Sequence, residues 1–257
     1  MPHAAMSAPP TEGAKVFIPR GLKVADPLQT LQRVLLIGMP HAGKTTSALT
    51  FPNAFVIDGE GKVPAGTRRI DFTDAAFVDS LAPRANKLNP PNCRDAFMTY
   101  VAKELPLFPA DTTVIIEGLT AIDGWFHLQT ERVDAIVDKR AMFGNKLSYL
   151  NQLFELLRRV QCRIIMTAHL QPAMGEGDRA TGSFKAFLGG SFAEKLPGYF
   201  TACMLCERDL NPTNPKPWRW RLRPNATHPT LGLNTERPIN VDTIPAEYNE
   251  LIKIINP

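Results

Sequence analysis

The stretch Gly38-Met39-Pro40-His41-Ala42-Gly43-Lys44-Thr45-Thr46 constrains this chain more than any other. It follows Arg33-Val34-Leu35-Leu36-Ile37, a short apolar run that reads as a buried strand, and Lys44 to Leu49 reads as the start of a helix. A G-x-x-x-x-G-K-[ST] pattern between strand and helix is a phosphate cradle. Glycine at 38 and 43 lets the backbone curl so that its N–H groups face an anion. Lys44 is then expected to reach the outer phosphates of a nucleotide, and the Thr45 hydroxyl to ligate Mg²⁺.

The rest of the chain repeats the same alternation. Ala54–Asp58, Thr113–Glu117, Arg163–Thr167 and Thr201–Cys206 read as further buried strands. Helical spacing covers 94–105 and 146–160, and one or two helices are expected over 119–142. Residues 59–91 read as irregular. Apolar strands alternating with helices predict an α/β fold, a mostly parallel sheet with helices on both faces. Three divisions are expected: an N-terminal arm over 1–30, the core over 31–210, and edge strands with a tail over 211–257. The arm is proline-rich, with Val16, Phe17 and Ile18 as its apolar segment. Within the tail, 218–222 and 252–255 read as edge strands or marginal packing.

Composition narrows the class. The apolar share of 44% in 257 residues is enough for a large core. Four cysteines exclude a disulfide scaffold and suit a reducing compartment, so a cytoplasmic location is expected. No apolar run approaches the roughly 18 residues of a membrane span, so no membrane partner is expected. The net charge of +4 is compatible with an anionic partner without being a polycationic tail.

Two acids accompany the cradle. Glu117 closes an apolar strand, where an unpaired carboxylate is expensive to bury and where a nucleotide-bound Mg²⁺ is commonly held. Glu60 lies just past the second strand, in Ala54-Phe-Val-Ile-Asp-Gly-Glu-Gly-Lys62, at the edge where a water facing a terminal phosphate would be polarised. Asp58 either shares that role or, like Glu60, is a solvated loop residue.

With GMPHAGKTT, VIDGE, VIIEGLTAID, IIMTAHLQ and LGGSFAEKL in this order, the chain resembles the RecA-like ATPase core over about 31–210, and more narrowly phage-encoded RecA-like P-loop proteins of the recombination and single-strand annealing group. The resemblance implies ATP and Mg²⁺ as ligands, with Met39, Pro40, His41, Ala42 and Thr46 completing the P-loop. It implies Glu60 as the water-activating acid, Glu117 with Thr45 at the metal, and His169 as a polar sensor of the terminal phosphate, with Gln171 close behind. It also implies single-stranded DNA as partner, in recombination, annealing or replication in the host cytoplasm, and self-association into a ring or filament. Glutamate stands at 117 where aspartate is commoner, and the flanking segments match no recombinase accessory domain. A packaging or helicase-type motor, and a nucleotide-binding regulatory protein without DNA affinity, remain alternatives.

Residues 171–188 are glycine-rich and carry Arg179, Phe184, Lys185 and Phe187. Cations with rings suit a single strand, which is tracked at its phosphates and stacked at its bases; an ordinary surface loop is the other reading. Gly189-Gly190 resembles the glycine pair after a RecA DNA loop. Arg132, Lys139, Arg140 and Lys146 form a second basic segment, on either a DNA-facing surface or a solvated helix face. Trp218-Arg-Trp-Arg-Leu-Arg223 alternates at strand period, with arginines on one face. Arg221 and Arg237 are the candidates for an arginine finger to a neighbouring subunit, against the reading of an amphipathic edge strand. Cys203 and Cys206 lie within an apolar strand and read as core, since residues three apart there face opposite ways.

Overall fold

The structure, a computed structural model, describes residues 31–256 except 85, 88, 133–137, 175–179, 189–191, 210, 212 and 234–238. The N-terminal arm, Arg179, Gly189, Gly190 and Arg237 therefore lie outside the described residues, as does the side chain of Arg132.

The strands are β1 (Arg33–Gly38), β2 (Ala54–Asp58), β3 (Arg69–Asp71), β4 (Thr113–Glu117), β5 (Arg163–Met174), β6 (Ala180–Ala186), β7 (Ala202–Arg208), β8 (Trp218–Arg221), β9 (Gly232–Leu233) and β10 (Thr243–Pro245). The helices are α1 (Lys44–Ala48), α2 (Ala75–Leu81), α3 (Cys93–Lys103), α4 (Leu119–Arg132), α5 (Lys139–Arg159), α6 (Phe192–Lys195) and α7 (Tyr248–Ile255). The sheet runs β10-β8-β7-β1-β5-β4-β2-β3, with β6 added on β5 and β9 on β7.

The chain is α/β, and the expected mostly parallel sheet holds in part: the sheet is mixed. From β7 to β3 neighbouring strands are parallel, whereas β6, β8, β9 and β10 pair antiparallel. The cause is connection length. The links from β5 to β6 and from β7 to β8 carry no helix and are short enough to return the chain antiparallel beside the strand it has just left.

Alternation along the strands builds two cores. Leu35 and Ile37 of β1 face one layer with Phe97, Tyr100, Leu150 and Phe154 of α3 and α5. Val34 and Leu36 face the other, with Ala48, Phe51, Trp220 and Leu251. Helices thus cover both faces, heavily on the first and through α1 and α7 on the second. All four cysteines are free, and Cys203 and Cys206 are buried within β7. No helix among the described residues is long and apolar enough to cross a membrane.

Local corrections follow from pairing that composition conceals. The irregular stretch 59–91 contains β3, paired with β2, and α2, capped by Asp74 accepting from the Ala76 N–H. The loop read over 171–188 is largely the hairpin of β5 and β6. The Trp218–Arg221 strand is interior, lying between β7 and β10. Residues 252–255 belong to helix α7, whose Leu251 is buried.

Candidate functional site

The loop after β1 is held in shape by its own backbone. The Ala42 N–H donates to the Met39 carbonyl at 3.2 Å, and His41 and Gly43 take left-handed conformations, with φ of 62° and 78°. Gly43 is required twice over: a Cβ there would lie 2.4 Å from the Trp218 ring packed beneath the loop. Met39, Pro40, His41 and Thr46 are exposed, while Ala42 and Lys44 are buried.

The Lys44 ammonium donates to the carbonyls of Gly38 (3.2 Å) and Met39 (3.0 Å) and lies 3.3 Å from His169 Nδ1. An ammonium has no lone pair, so Nδ1 is the acceptor in that contact. Burial, then the neighbouring Lys44 charge, pushes the His169 pKa down. Its other nitrogen, Nε2, lies 3.9 Å from Glu60 Oε1. Burial also lowers the Lys44 pKa, opposed by Cys206, Glu117 and Glu60.

Glu117 ends β4 beside the cradle. Its Oε1 accepts from Thr45 Oγ1 at 2.7 Å and its Oε2 from Thr167 Oγ1 at 3.0 Å. Thr167 Oγ1 in turn accepts from the Gly118 N–H. Burial raises the Glu117 pKa, against the lowering effect of both hydroxyls and of Lys44. Gly118, at φ 82°, brings Glu60 in: a Cβ there would meet Glu60 Cγ and Oε1 at 2.7 Å.

Asp58 does different work from the role considered for it. Fully buried, its Oδ1 accepts from the N–H groups of Glu60 (3.0 Å) and Gly61 (2.7 Å), and its Oδ2 pairs with Arg69 at 3.0 Å. With both oxygens taken, Asp58 folds the turn that aims Glu60 and is not itself free to polarise water.

Lys44, Thr45, Glu60, Glu117 and His169 therefore converge at the carboxyl ends of β1, β2 and β4 and at the middle of the longer β5. Topology explains the meeting: β5 lies between β1 and β4, with Gly38 in register with His169. Gln171 does not join them; its Nε2 donates to the Ala186 and Leu188 carbonyls at 3.3 Å. The sequence reading missed Thr167 and Gly118 as site residues and Lys62 as the ion-pair partner of Glu60 at 3.0 Å. A lone hydroxyl in an apolar strand and a glycine directly after Glu117 were the available signals.

The outlying candidates separate. Phe184 stacks on His228 with ring centroids 5.5 Å apart, Lys185 lies 3.5 Å from Glu194, and Phe187 is exposed. Phe184, His228, Leu205 and Arg208 border a groove of about 480 Å³ beside the loop crest. Lys146 is buried and paired with Asp123 at 3.0 Å, which removes it from any DNA-facing surface; Lys139 and Arg140 are exposed. Arg221 is closed on Glu207 through two contacts of 3.1 Å.

The donor set suits a magnesium ion that brings most of its own ligands. Among the described residues no cluster of three or more histidines, cysteines or carboxylates could cage a metal. One carboxylate and one hydroxyl 2.7 Å apart are what an ion bound mainly by phosphates and water needs from a protein. No family model matches the chain, and no curated protein matches its sequence.

Proposed function

We propose that this chain is a Mg²⁺-dependent ATPase of RecA-like type that acts on single-stranded DNA in phage recombination, annealing or replication. One observation carries the reading: the P-loop anchors two adjacent polar chains, Lys44 with His169 and Glu60, and Thr45 with Glu117 and Thr167. Two carboxylates, a buried lysine and a neutral imidazole at a phosphate-binding loop suit phosphoryl transfer to water.

Each group has a task. The loop N–H groups and Lys44 bind the phosphates; Lys44 exchanges its carbonyl contacts for an anion. Thr45 and Glu117 would hold Mg²⁺, which when bound would supply charge neutralisation. Glu60 orients water and takes its proton as the new O–P bond forms. The bond from the terminal phosphorus to the bridging oxygen breaks, and its electron pair leaves on ADP. Glu60 then returns the proton to the released phosphate. His169 Nε2, facing Glu60, is positioned to sense the terminal phosphate. Positioning and electrostatics supply most of the acceleration.

Support for a polymer partner is a link between hairpin and site. The Phe187 N–H donates to the His169 carbonyl at 2.6 Å, and Thr120 Oγ1 donates to the Phe187 carbonyl at 3.2 Å. A base stacked on the exposed Phe187 ring would therefore bear on the sensor strand. Self-association belongs to the same reading, since one sheet leaves the terminal phosphate open on one side.

Phosphate release from ATP with and without Mg²⁺, in wild type and Lys44→Ala, tests hydrolysis; activity surviving in the variant defeats it. Salt-titrated binding of single- and double-stranded oligonucleotides tests the partner, and no binding at low salt removes DNA. Light scattering with ATP, Mg²⁺ and oligonucleotide tests assembly.

A further inference from the structure

Among the described residues, Lys62 is the lysine clasped to the acid that the hydrolytic reading places against water. Its ammonium lies 3.0 Å from Glu60 Oε2, and its side chain is 75% exposed while that of Glu60 is 14% exposed. Glu60 Oε1 lies 3.9 Å from His169 Nε2, and His169 Nδ1 is 3.3 Å from Lys44 Nζ. The polar groups thus form a line, Lys44–His169–Glu60–Lys62, with a lysine at each end. Asp58 and Gly118 fix Glu60 between them, so the flexible member of the outer pair is Lys62.

We propose that Lys62 is a positioning residue that exchanges partners, clasping Glu60 when no triphosphate is present and turning to the terminal phosphate when one binds. This rests on the ATPase reading. The physics is a competition of anions. A terminal phosphate with up to two negative charges attracts an ammonium more strongly than one carboxylate does. A long exposed stem lets Lys62 turn at little cost. Its departure leaves the Glu60 carboxylate uncompensated beside the water it must orient. The hydrogen bond to Glu60 holds the Lys62 pKa above the ordinary lysine value, so the charge is present throughout the neutral range. Arg221, a cation considered for the terminal phosphate from a neighbouring subunit, is already closed on Glu207.

The distinguishing property is discrimination between ATP and ADP, because only ATP carries the phosphate that Lys62 is to meet. Binding of each to the full chain with Mg²⁺ is measured for wild type, Lys62→Ala and Lys62→Arg. Lys216→Ala serves as control, removing another exposed lysine paired with a glutamate, Glu247. Lys62→Ala is expected to weaken ATP about five- to tenfold and leave ADP unchanged, Lys62→Arg to restore the preference, and the control to change neither. An unaltered ATP-to-ADP ratio in Lys62→Ala, or equal weakening of both, overturns the proposal. Wild type that binds neither nucleotide overturns the ATPase reading itself and this inference with it.

Discussion

Two sets of basic side chains in this molecule, those of β8 and that of the P-loop, differ in what answers their charge. On the strand Trp218–Arg221 and its continuation, each arginine has its own acid: Arg219 with Asp209 at 3.8 Å, Arg221 with Glu207 at 3.1 Å, and Arg223 with Asp242 at 3.3 Å. At the P-loop, Lys44 is buried, yet its contacts are two carbonyls and an imidazole. The first group is complete as it stands. The second leaves a positive charge whose direct contacts are all dipoles, with Glu117 and Glu60 acting on it only through space, an arrangement that an arriving anion improves. A row of arginines is thus the weaker indication of a ligand, and one lysine facing carbonyls the stronger.

The sharpest way to break the comparison is Lys44→Ala. If the buried ammonium serves a bound triphosphate, ATP turnover should fall on the order of 10³-fold. Folding should survive, because the variant removes a charge that burial penalises. Phosphate release and a thermal melt measure the two effects. A strong loss of stability would instead make Lys44 a structural residue rather than a ligand-binding one.

Glu117→Gln comes next, with turnover expected to drop roughly 10²- to 10³-fold. Its effect on the ligand-free protein has the opposite sign. Burial raises the Glu117 pKa in the folded chain, so between the ordinary and raised values the native state binds a proton that the unfolded chain has released. Stability therefore falls as pH rises through that window, and the loss is complete above the folded value. The glutamine variant should lack this slope and be the more stable protein at neutral pH. Denaturant melts across the mildly acidic range check it; a wild-type stability that rises through the window contradicts the assignment.

How far such features were legible depended on whether they are carried by a run of residues or by register. Val34–Ile37, Val114–Ile116 and Ile164–Met166 announce strands because a strand buried on both faces must be apolar throughout. The P-loop and both glutamates are local, and so they too were readable. The hairpin of β5 and β6 was hidden by glycine and polar residues that look like a loop until paired. The helix α7 was hidden because a short apolar run does not separate helix from strand. Within the site, the clasp of Lys62 on Glu60 and the tied oxygens of Asp58 depend on a turn whose shape no single residue declares. The β8 arginines show this most plainly. Arg219 stands opposite Glu207 in the pairing of β7 and β8, yet the carboxylate is taken by its diagonal neighbour, Arg221.

Gly118→Ala separates positioning from binding. At φ 82° an alanine is strained by about 1–2 kcal/mol, and its Cβ would enter the space of the Glu60 side chain. The stability loss should be of that order. Turnover should fall about ten- to a hundredfold while nucleotide affinity holds, because the P-loop is untouched and only the water-facing acid moves. Steady-state kinetics beside a direct binding measurement makes the distinction. Affinity lost in step with turnover would mean that Glu60 supports the loop and not the water.

The smallest effect is expected at Arg221, and it bears on the whole comparison. An arginine that reaches into a neighbour's nucleotide site must be free to leave its own chain. Arg221 is held on Glu207 by contacts from both Nε and Nη2, with side chains about one-third exposed or less. Two partly solvated charges of this kind contribute roughly 0.2–1 kcal/mol. Arg221→Ala should therefore cost no more than that in stability and leave turnover within about twofold of wild type. A double-mutant cycle with Glu207→Gln should assign most of the loss to the pair. If Arg221→Ala instead abolishes hydrolysis while assembly persists, the arginine leaves Glu207 when subunits meet, and the β8 strand belongs with the catalytic cations after all.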